Sequence, residues 1–366
     1  MTLTQIFKIT LTILAALGVA YIFVITINVW VSVIVAIVLA SALRKPILQL
    51  REARIPQGWA VAIVYGALTV ITFTTLILVL PPVINQFTGY MTNEDRLANR
   101  VIGAKIWMER TATDIIGTPF EMGIENDTIR SSINDVVNTL RVTAPRLLGN
   151  ATGFLGDFVL VIAMSLYWMS TRESAENFLV ELAPIGRRGQ IHAILQEIEE
   201  VLGSYVRSIV LVSLIVGVAC FVILTLFRVT SAASISFFYA VATAIPIVGG
   251  LIGVVLATFI GLLTSPTNAV IALLVTFMLQ QVENYWLTPR MMSQGADFDP
   301  MLVVVFVSMG FSLGGVTGAL LSIPVAGAVS ILIKHMIIEP RKASVTPTKV
   351  EGGVLLLSHE QDASND

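Results

Sequence analysis

The sequence predicts an all-α integral membrane protein of about eight transmembrane helices, some broken or re-entrant, with a small helical domain outside the membrane. Three observations predict it. Only 13% of the residues are charged, where a soluble chain carries roughly a quarter, and the mean hydropathy is +0.85. Apolar runs long enough to cross a bilayer, roughly 20 residues each, recur along the chain. Two of these runs are too long for one straight crossing, and both contain Pro and Gly, which points to broken or re-entrant helices.

The spans fall at about 6–27, 30–43, 59–85, 152–170, 206–228, 232–262, 268–288 and 301–336. The first two form a hairpin broken near Asn28. The stretch Leu39 to Ala42, "LASA", has the small residues of a signal-peptidase site. The apolar run around it extends from Ile9 to Leu43, however, far beyond the 7–15 residues of a signal core. The chain thus divides into N-terminal helices over 1–85, an extracytoplasmic helical domain over 86–151, a fourth span at 152–170 and a cytoplasmic amphipathic linker at 171–204. The C-terminal helices follow over 205–338, and then a disordered cytoplasmic tail over 339–366.

Residues 86–151 mix seven Lys/Arg with eight Asp/Glu and set Leu97, Val101, Ala104 and Ile129, Ile133, Val136, Val137, Leu140 at helical spacing, which predicts helices outside the membrane. Residues 171–204 put Ile191, Ile194, Leu195, Ile198 and Leu202 on one face, which predicts a helix packed on the membrane core or on a neighbouring subunit. Positive charge in short loops sets the orientation. Arg44, Lys45, Arg51 and Arg54 place the 44–58 loop inside, as do Arg172, Arg187 and Arg188 in the next such loop and Arg341, Lys342 and Lys349 after the last span. Arg290 with Asp297 and Asp299 shows no positive excess, which places the loop after the seventh span outside and both termini inside.

Composition also excludes function classes. A net charge of −2, without basic clusters beyond short loops, excludes nucleic-acid binding. The single Cys220 excludes disulfides and thiolate metal sites, and no cofactor or metal site is expected. His192, His335 and His359 are scattered, with no His-Glu-x-x-His pair and no Walker-type loop, which argues against a membrane enzyme or an ATP-driven pump.

Several motifs are candidates for function. From Ser208 to Val282 the one charged residue is Arg228, yet "QQVENYWLTPR" follows at 280–290. In a helix Gln280, Glu283, Asn284 and Leu287 share a face. A carboxylate facing lipid is costly, so this stripe faces protein or water. Either Glu283 pins the helix end by pairing with Arg290, or it lines a wet path between the sixth and eighth spans as a ligand for a cation, a proton or a hydroxylated solute. "AIPIVGG", 244–250, sets Pro246, Gly249 and Gly250 mid-span; freed carbonyls there mark a substrate site or a kink in a packed helix. "SIPVAG", 322–327, repeats that chemistry more weakly. Gly249, Gly253, Ala257 and Gly261 form one small-residue strip, and Gly310, Gly314 and Gly318 form another, each letting a neighbouring backbone approach, for static packing or for sliding.

"AIPIVGGLIG", "QQVENYWLTPRMM" and "DPMLVVVFVSMGFSLGGVTGALLSIPVAG", with "ALRKPILQL" and "LAPIGRR" upstream, together resemble the autoinducer-2 exporter family of bacterial membrane transporters over about residues 6–338. Two positions depart from the family's pattern: Gly250 stands where a proline is usual, and Asp299 where a histidine is common. The resemblance implies a multi-pass transporter of the bacterial inner membrane, lying in the lipid bilayer as a homo-oligomer. Its implied cargo is a small polar solute, an autoinducer-2-like signal among the candidates, with sodium(lithium)/proton antiport as the alternative. A non-transporting scaffold or sensor is the alternative from another class.

Overall fold

The computed structural model describes residues 3–91, 94–149, 151–246, 248–291 and 300–338. The tail, Ile247, Asp297 and Asp299 lie outside the described residues. Every regular element among those described is helical: α1 (Leu3–Ile25), α2 (Ile27–Glu52), α3 (Gln57–Met91), α4 (Glu94–Ile116), α5 (Asn126–Gly149), α6 (Ala151–Glu181), α7 (Arg188–Leu226), α8 (Ala232–Thr243), α9 (Gly249–Leu262), α10 (Pro266–Val282), α11 (Thr288–Met291) and α12 (Pro300–Ile333). Among the described residues six helices are long and apolar enough to cross a membrane: those at 7–25, 27–52, 57–78, 185–226, 266–291 and 301–336. The predicted fourth span lies within α6, outside that set, and the predicted sixth span is the two short helices α8 and α9.

The break between α1 and α2 falls at Thr26, two residues before the predicted Asn28. Its hydroxyl donates to the Ile22 carbonyl at 2.7 Å and accepts from the Trp30 indole at 3.1 Å. The predicted second span, 30–43, is the middle of a helix of 26 residues. The small residues of "LASA" have a packing role: Ala40, Ser41 and Ala42 are buried. A Cβ on Gly203 of α7 would stand 2.8 Å from the Ser41 carbonyl carbon, so α2 and α7 meet backbone to backbone. Pro46, inside α2, has no N–H for the Ala42 carbonyl four residues back. Arg207 of α7 supplies a donor instead, at 3.4 Å to Ala42 and 3.4 Å to Ser41.

The predicted linker 171–204 is not a separate piece. Its ends prolong α6 and α7, and α7 runs through 39 residues, about 58 Å, from the amphipathic segment into the fifth span. Ile194 and Leu202 on the predicted face are buried. Arg172 and Arg44 both reach Glu199, at 2.5 and 2.8 Å, tying α6 and α2 to α7. Higher up, the Tyr65 and Ser165 hydroxyls meet at 2.6 Å between α3 and α6. α4 and α5 pair with each other, and Leu97 and Val137 cover Leu263 at the α9–α10 turn.

Two elements double back. α8 and α9, of 12 and 14 residues, are about 18 and 21 Å long, short of a hydrocarbon core of roughly 30 Å. They lie against each other: a Cβ on Gly253 would stand 2.7 Å from the Tyr239 ring, and one on Gly249 3.0 Å from the Ala242 carbonyl carbon. α12 does the same inside its 34 residues. The backbone leaves the helical region at Gly314 (φ −140°, ψ 21°) and Gly315 (φ 59°, ψ −142°), the second a conformation that favours glycine. Gly310 and Gly318 would stand about 12 Å apart in a straight helix. Instead a Cβ on Gly310 would be 2.9 Å from the Gly318 carbonyl carbon. The backbone that approaches this strip is the other arm of the same segment, while a Cβ on Gly314 at the tip would stand 3.3 Å from the Val31 side chain of α2.

These two hairpins set where the end of α10 lies within the molecule. The loop after the seventh span was expected at the end of the molecule that carries the 86–151 helices. The Ser208 hydroxyl, at the opposite end, donates to the Met291 carbonyl at 2.8 Å. Arg100 of α4 donates to the Thr264 carbonyl at 3.4 Å, so the α9–α10 turn is the part that lies beside α4 and α5. The exit of α12 returns to α7, where His335 and Glu197 meet at 2.8 Å. Both long runs fold back on themselves, so within the molecule the Met291 end of α10 lies beside α7 at Ser208 and the α9–α10 turn lies beside α4.

Candidate functional site

The α8–α9 turn is built around a missing donor. Pro246 gives no N–H to the Ala242 carbonyl, which accepts from Ile245 N–H at 2.9 Å instead. Val248 N–H then closes on the Pro246 carbonyl at 2.8 Å, and Gly249 starts α9 without a side-chain cap. This tip lies against α10. A Cβ on Gly250 would run into the Gln280 side chain, with its Cδ at 2.8 Å. Tyr239 of α8 is fully buried and donates to the Thr276 carbonyl of α10 at 2.9 Å. Ser213 of α7 and Thr243 at the end of α8 face each other at 3.5 Å. Of the predicted site residues, Pro246, Gly249, Gly250 and Gln280 therefore stand at one place.

Glu283 opens a π-helical turn, Glu283–Leu287, in which Thr288 N–H donates to the Glu283 carbonyl five residues back. Pro289 explains the widening, since a proline cannot donate to the carbonyl four residues before it and crowds that carbonyl. Such turns recur at functional sites. The buried line along this helix is Ala272, Thr276, Glu283 and Leu287, with Gln280 partly covered. Asn284 is exposed, at the edge of the face predicted for it, about 90° round the helix from the buried line.

The stripe packs on α9 and α7, while α12 packs on α2 and α7. The stripe expected between the sixth and eighth spans thus packs against the elements of the sixth and fifth. Arg290 lies over the Trp286 ring, 4.6 Å from its centroid, and no ion pair joins it to Glu283 among the described residues. Glu283 is 8% exposed, and its Oε2 has no hydrogen-bond partner in the described structure. Leaving an ionised carboxylate unpaired at such a depth costs several kcal/mol or more. A bound proton or a bound cation removes that cost.

Tyr239, Thr276, Ser213 and Thr243 were not singled out from the sequence. Tyr239 had a usable signal, because a tyrosine hydroxyl inside an apolar run needs a partner. The others are small polar residues in apolar helices, which ordinarily bond their own backbone, as Thr276 also does to the Ala272 carbonyl at 2.6 Å.

Several membrane-length helices, with two glycine-tipped hairpins packed among them, define a multi-span membrane protein. Residues 11–338 match the model of the AI-2E family transporters, and the chain belongs to that family. Its relatives include the Bacillus subtilis (strain 168) protein named "Putative transport protein YueF", 22% identical over 303 residues, 80% of each chain. Another is the Synechocystis protein named "Putative transport protein sll0060", 23% identical over 319 residues, 83% of this chain and 87% of its own.

Proposed function

We propose that this chain exports a small polar solute, of which an autoinducer-2-like molecule is one candidate, across the bacterial cytoplasmic membrane. Gln280, Glu283 and the Pro246–Gly250 tip form the pathway in this reading. In the proposed topology α1, α2, α3, α6, α7 and α10 cross the bilayer, α8–α9 enters from outside and α12 enters from inside. Both termini are then cytoplasmic and the α4–α5 pair extracytoplasmic. Intramembrane ionisable residues ordinarily mark ion or solute paths, and discontinuous helices ordinarily mark transporter binding sites. The observation that carries the reading is the meeting of both features: a partnerless buried carboxylate stands on the helix that packs against a proline-broken hairpin tip.

A second reading, sodium(lithium)/proton antiport, is favoured by the same unpaired Glu283, since one carboxylate that holds either a proton or a metal cation is the minimum such an exchanger needs. Flux in sealed vesicles separates the two. Purified protein is tested against a panel of small polar metabolites and against Na⁺ and Li⁺, with Glu283→Gln alongside and monodisperse elution as the folding control. Solute flux lost in Glu283→Gln supports export; cation flux lost in its place supports antiport. Flux untouched by Glu283→Gln removes the site, and no flux of any kind supports a scaffold or sensor.

A further inference from the structure

Three cavities lie end to end along α2, outside the site just described. The first, about 450 Å³, is an apolar groove between α2 and α6 lined by Val33, Ile37, Ala163, Met164 and Trp168 among others. Ile37 and Trp168 also line the second, about 110 Å³, between α2, α6 and α7. Ser41 and Glu199 pass from the second into the third, about 410 Å³, which is walled by α2 and α7. Val33, Ile37, Ser41 and Lys45, spaced four residues apart, wind about a third of a turn around α2 and lead from the first cavity to the third.

The cleft changes character along its length. Its first part is apolar, at the depth of the predicted second and fourth spans, and Tyr167 and Trp168 stand where interfacial aromatics sit. Its last part is charged, and the charges are ordered. On α2, Lys45 precedes Glu52 by seven residues; on α7, which runs the opposite way, Arg207 follows Glu200 by seven. Along each helix axis the cation's backbone position is thus nearer the bilayer and the acid's about 10 Å farther out, and on α2 the two side chains are not paired with each other among the described residues. Arg207 pairs with Glu200 at 2.9 Å, and Arg44 is held by Glu199. Lys45 and Glu52 have no ion pair among the described residues.

We infer that this cleft binds a phosphatidylethanolamine molecule, with an acyl chain in the α2–α6 groove, the phosphate at Lys45 and the ammonium at Glu52. An apolar groove open to the bilayer fits an acyl chain. The order of charge on α2 matches a headgroup whose phosphate lies close to the bilayer and whose amine lies beyond it. An anionic headgroup without the amine leaves Glu52 uncompensated, and a bulkier choline weakens the hydrogen bonds to that acid. The inference needs only the membrane placement of α2 and α6, not the transport site.

Lipid binding to the full-length protein in detergent, read by native mass spectrometry, tests it with phosphatidylethanolamine, phosphatidylglycerol and phosphatidylcholine of identical chains. The expected result is phosphatidylethanolamine binding roughly fivefold tighter than either. Glu52→Gln should abolish that preference, Lys45→Gln should weaken all three lipids by removing the partner of their common phosphate, both positions being exposed, and Ala163→Trp should block binding of all three at this site. Should Ala163→Trp fold poorly, Thr171→Trp fills the same groove. Equal or tighter binding of phosphatidylglycerol, an unchanged preference in Glu52→Gln, or no effect of the groove-filling variant overturns the inference. So does glycerophosphoethanolamine binding as tightly as the whole lipid, which makes the polar cavity a vestibule for solutes. Flux through the Glu283 site is a separate readout, so failure here leaves the transport reading standing.

Discussion

Gly250 on α9 stands directly against the side-chain amide of Gln280 on α10, with room for a hydrogen and not for a methyl group. Its neighbour Gly249 faces something different, the backbone carbonyl of Ala242 across the hairpin. The two glycines therefore separate site from scaffold. A methyl at 250 meets the far end of a flexible side chain, which can swing aside. A methyl at 249 meets backbone, which cannot. Gly249→Ala should destabilise the protein by about 1–3 kcal/mol, seen as earlier thermal unfolding in detergent. Gly250→Ala should leave unfolding nearly unchanged while altering flux per folded molecule. Equal stability losses in both would make the tip ordinary packing.

The α12 hairpin makes a sharper claim on stability. A Cβ on Gly318 would stand 2.8 Å from the Gly310 carbonyl carbon, so Gly310→Ala and Gly318→Ala each force the arms apart, at about 1–3 kcal/mol. Gly315→Ala meets open space yet should cost about 1–3 kcal/mol through its φ of 59°. Gly314→Ala, which touches only the Val31 side chain, should cost least. A straight α12 predicts the opposite for Gly315, where alanine would then favour helix and raise stability.

What was legible in the sequence and what was not follow from the reach of each signal. Helix type and apolar faces were legible because periodicity is local, as Ile194 and Leu202 illustrate. The strip Gly310, Gly314, Gly318 was visible too, but a four-residue repeat has the same form whether the approaching backbone is another helix or the same one folded back. Only the adjacent pair Gly314–Gly315, with a run too long for one crossing, hinted at the turn. The side of the loop after Met291 depends on counting crossings, and a run that folds back on itself has the same composition as one that crosses. At the candidate site, Pro246 and Glu283 stood out because each breaks a local rule. Arg207 escaped notice because its role depends on Pro46, 161 positions away in the chain.

Sidedness gives a direct test of the hairpin topology. In a Cys220→Ala background, Thr113→Cys in α4 and Thr267→Cys at the start of α10 should both react with an impermeant thiol reagent in intact cells. Ser344→Cys in the tail should react only after permeabilisation. Cys220 is buried in the α7–α10 core, so its removal should cost little in labelling background. Thr113 and Thr267 reacting from opposite sides would mean that α8–α9 crosses the membrane after all. Ser344 alone reacting in intact cells would invert the whole orientation.

Glu283 and Arg290 share one helix end but not one interaction, and that decides what their variants should do. Arg290 rests on Trp286, while Glu283 is buried without a partner at Oε2. Had the two formed a buried ion pair, Glu283→Gln would strand a charge and cost about 3–5 kcal/mol, and exchanging the residues would restore the fold. With no pair, Glu283→Gln replaces a carboxylate by an amide of the same shape that has no charge to desolvate. Thermal stability in detergent should then hold or rise. The exchange Glu283→Arg with Arg290→Glu should fail to fold, because it moves a longer cation into a site with no acid to meet it. Flux is expected to fall in Glu283→Gln and to lose whatever pH dependence the native protein shows, since an amide takes up neither proton nor cation. Glu283→Asp, which keeps the charge on a shorter arm, should retain part of that dependence. A large stability loss in Glu283→Gln that the exchanged pair repairs would return Glu283 to a structural role, and transport would then have to be sought at the Pro246 tip without it.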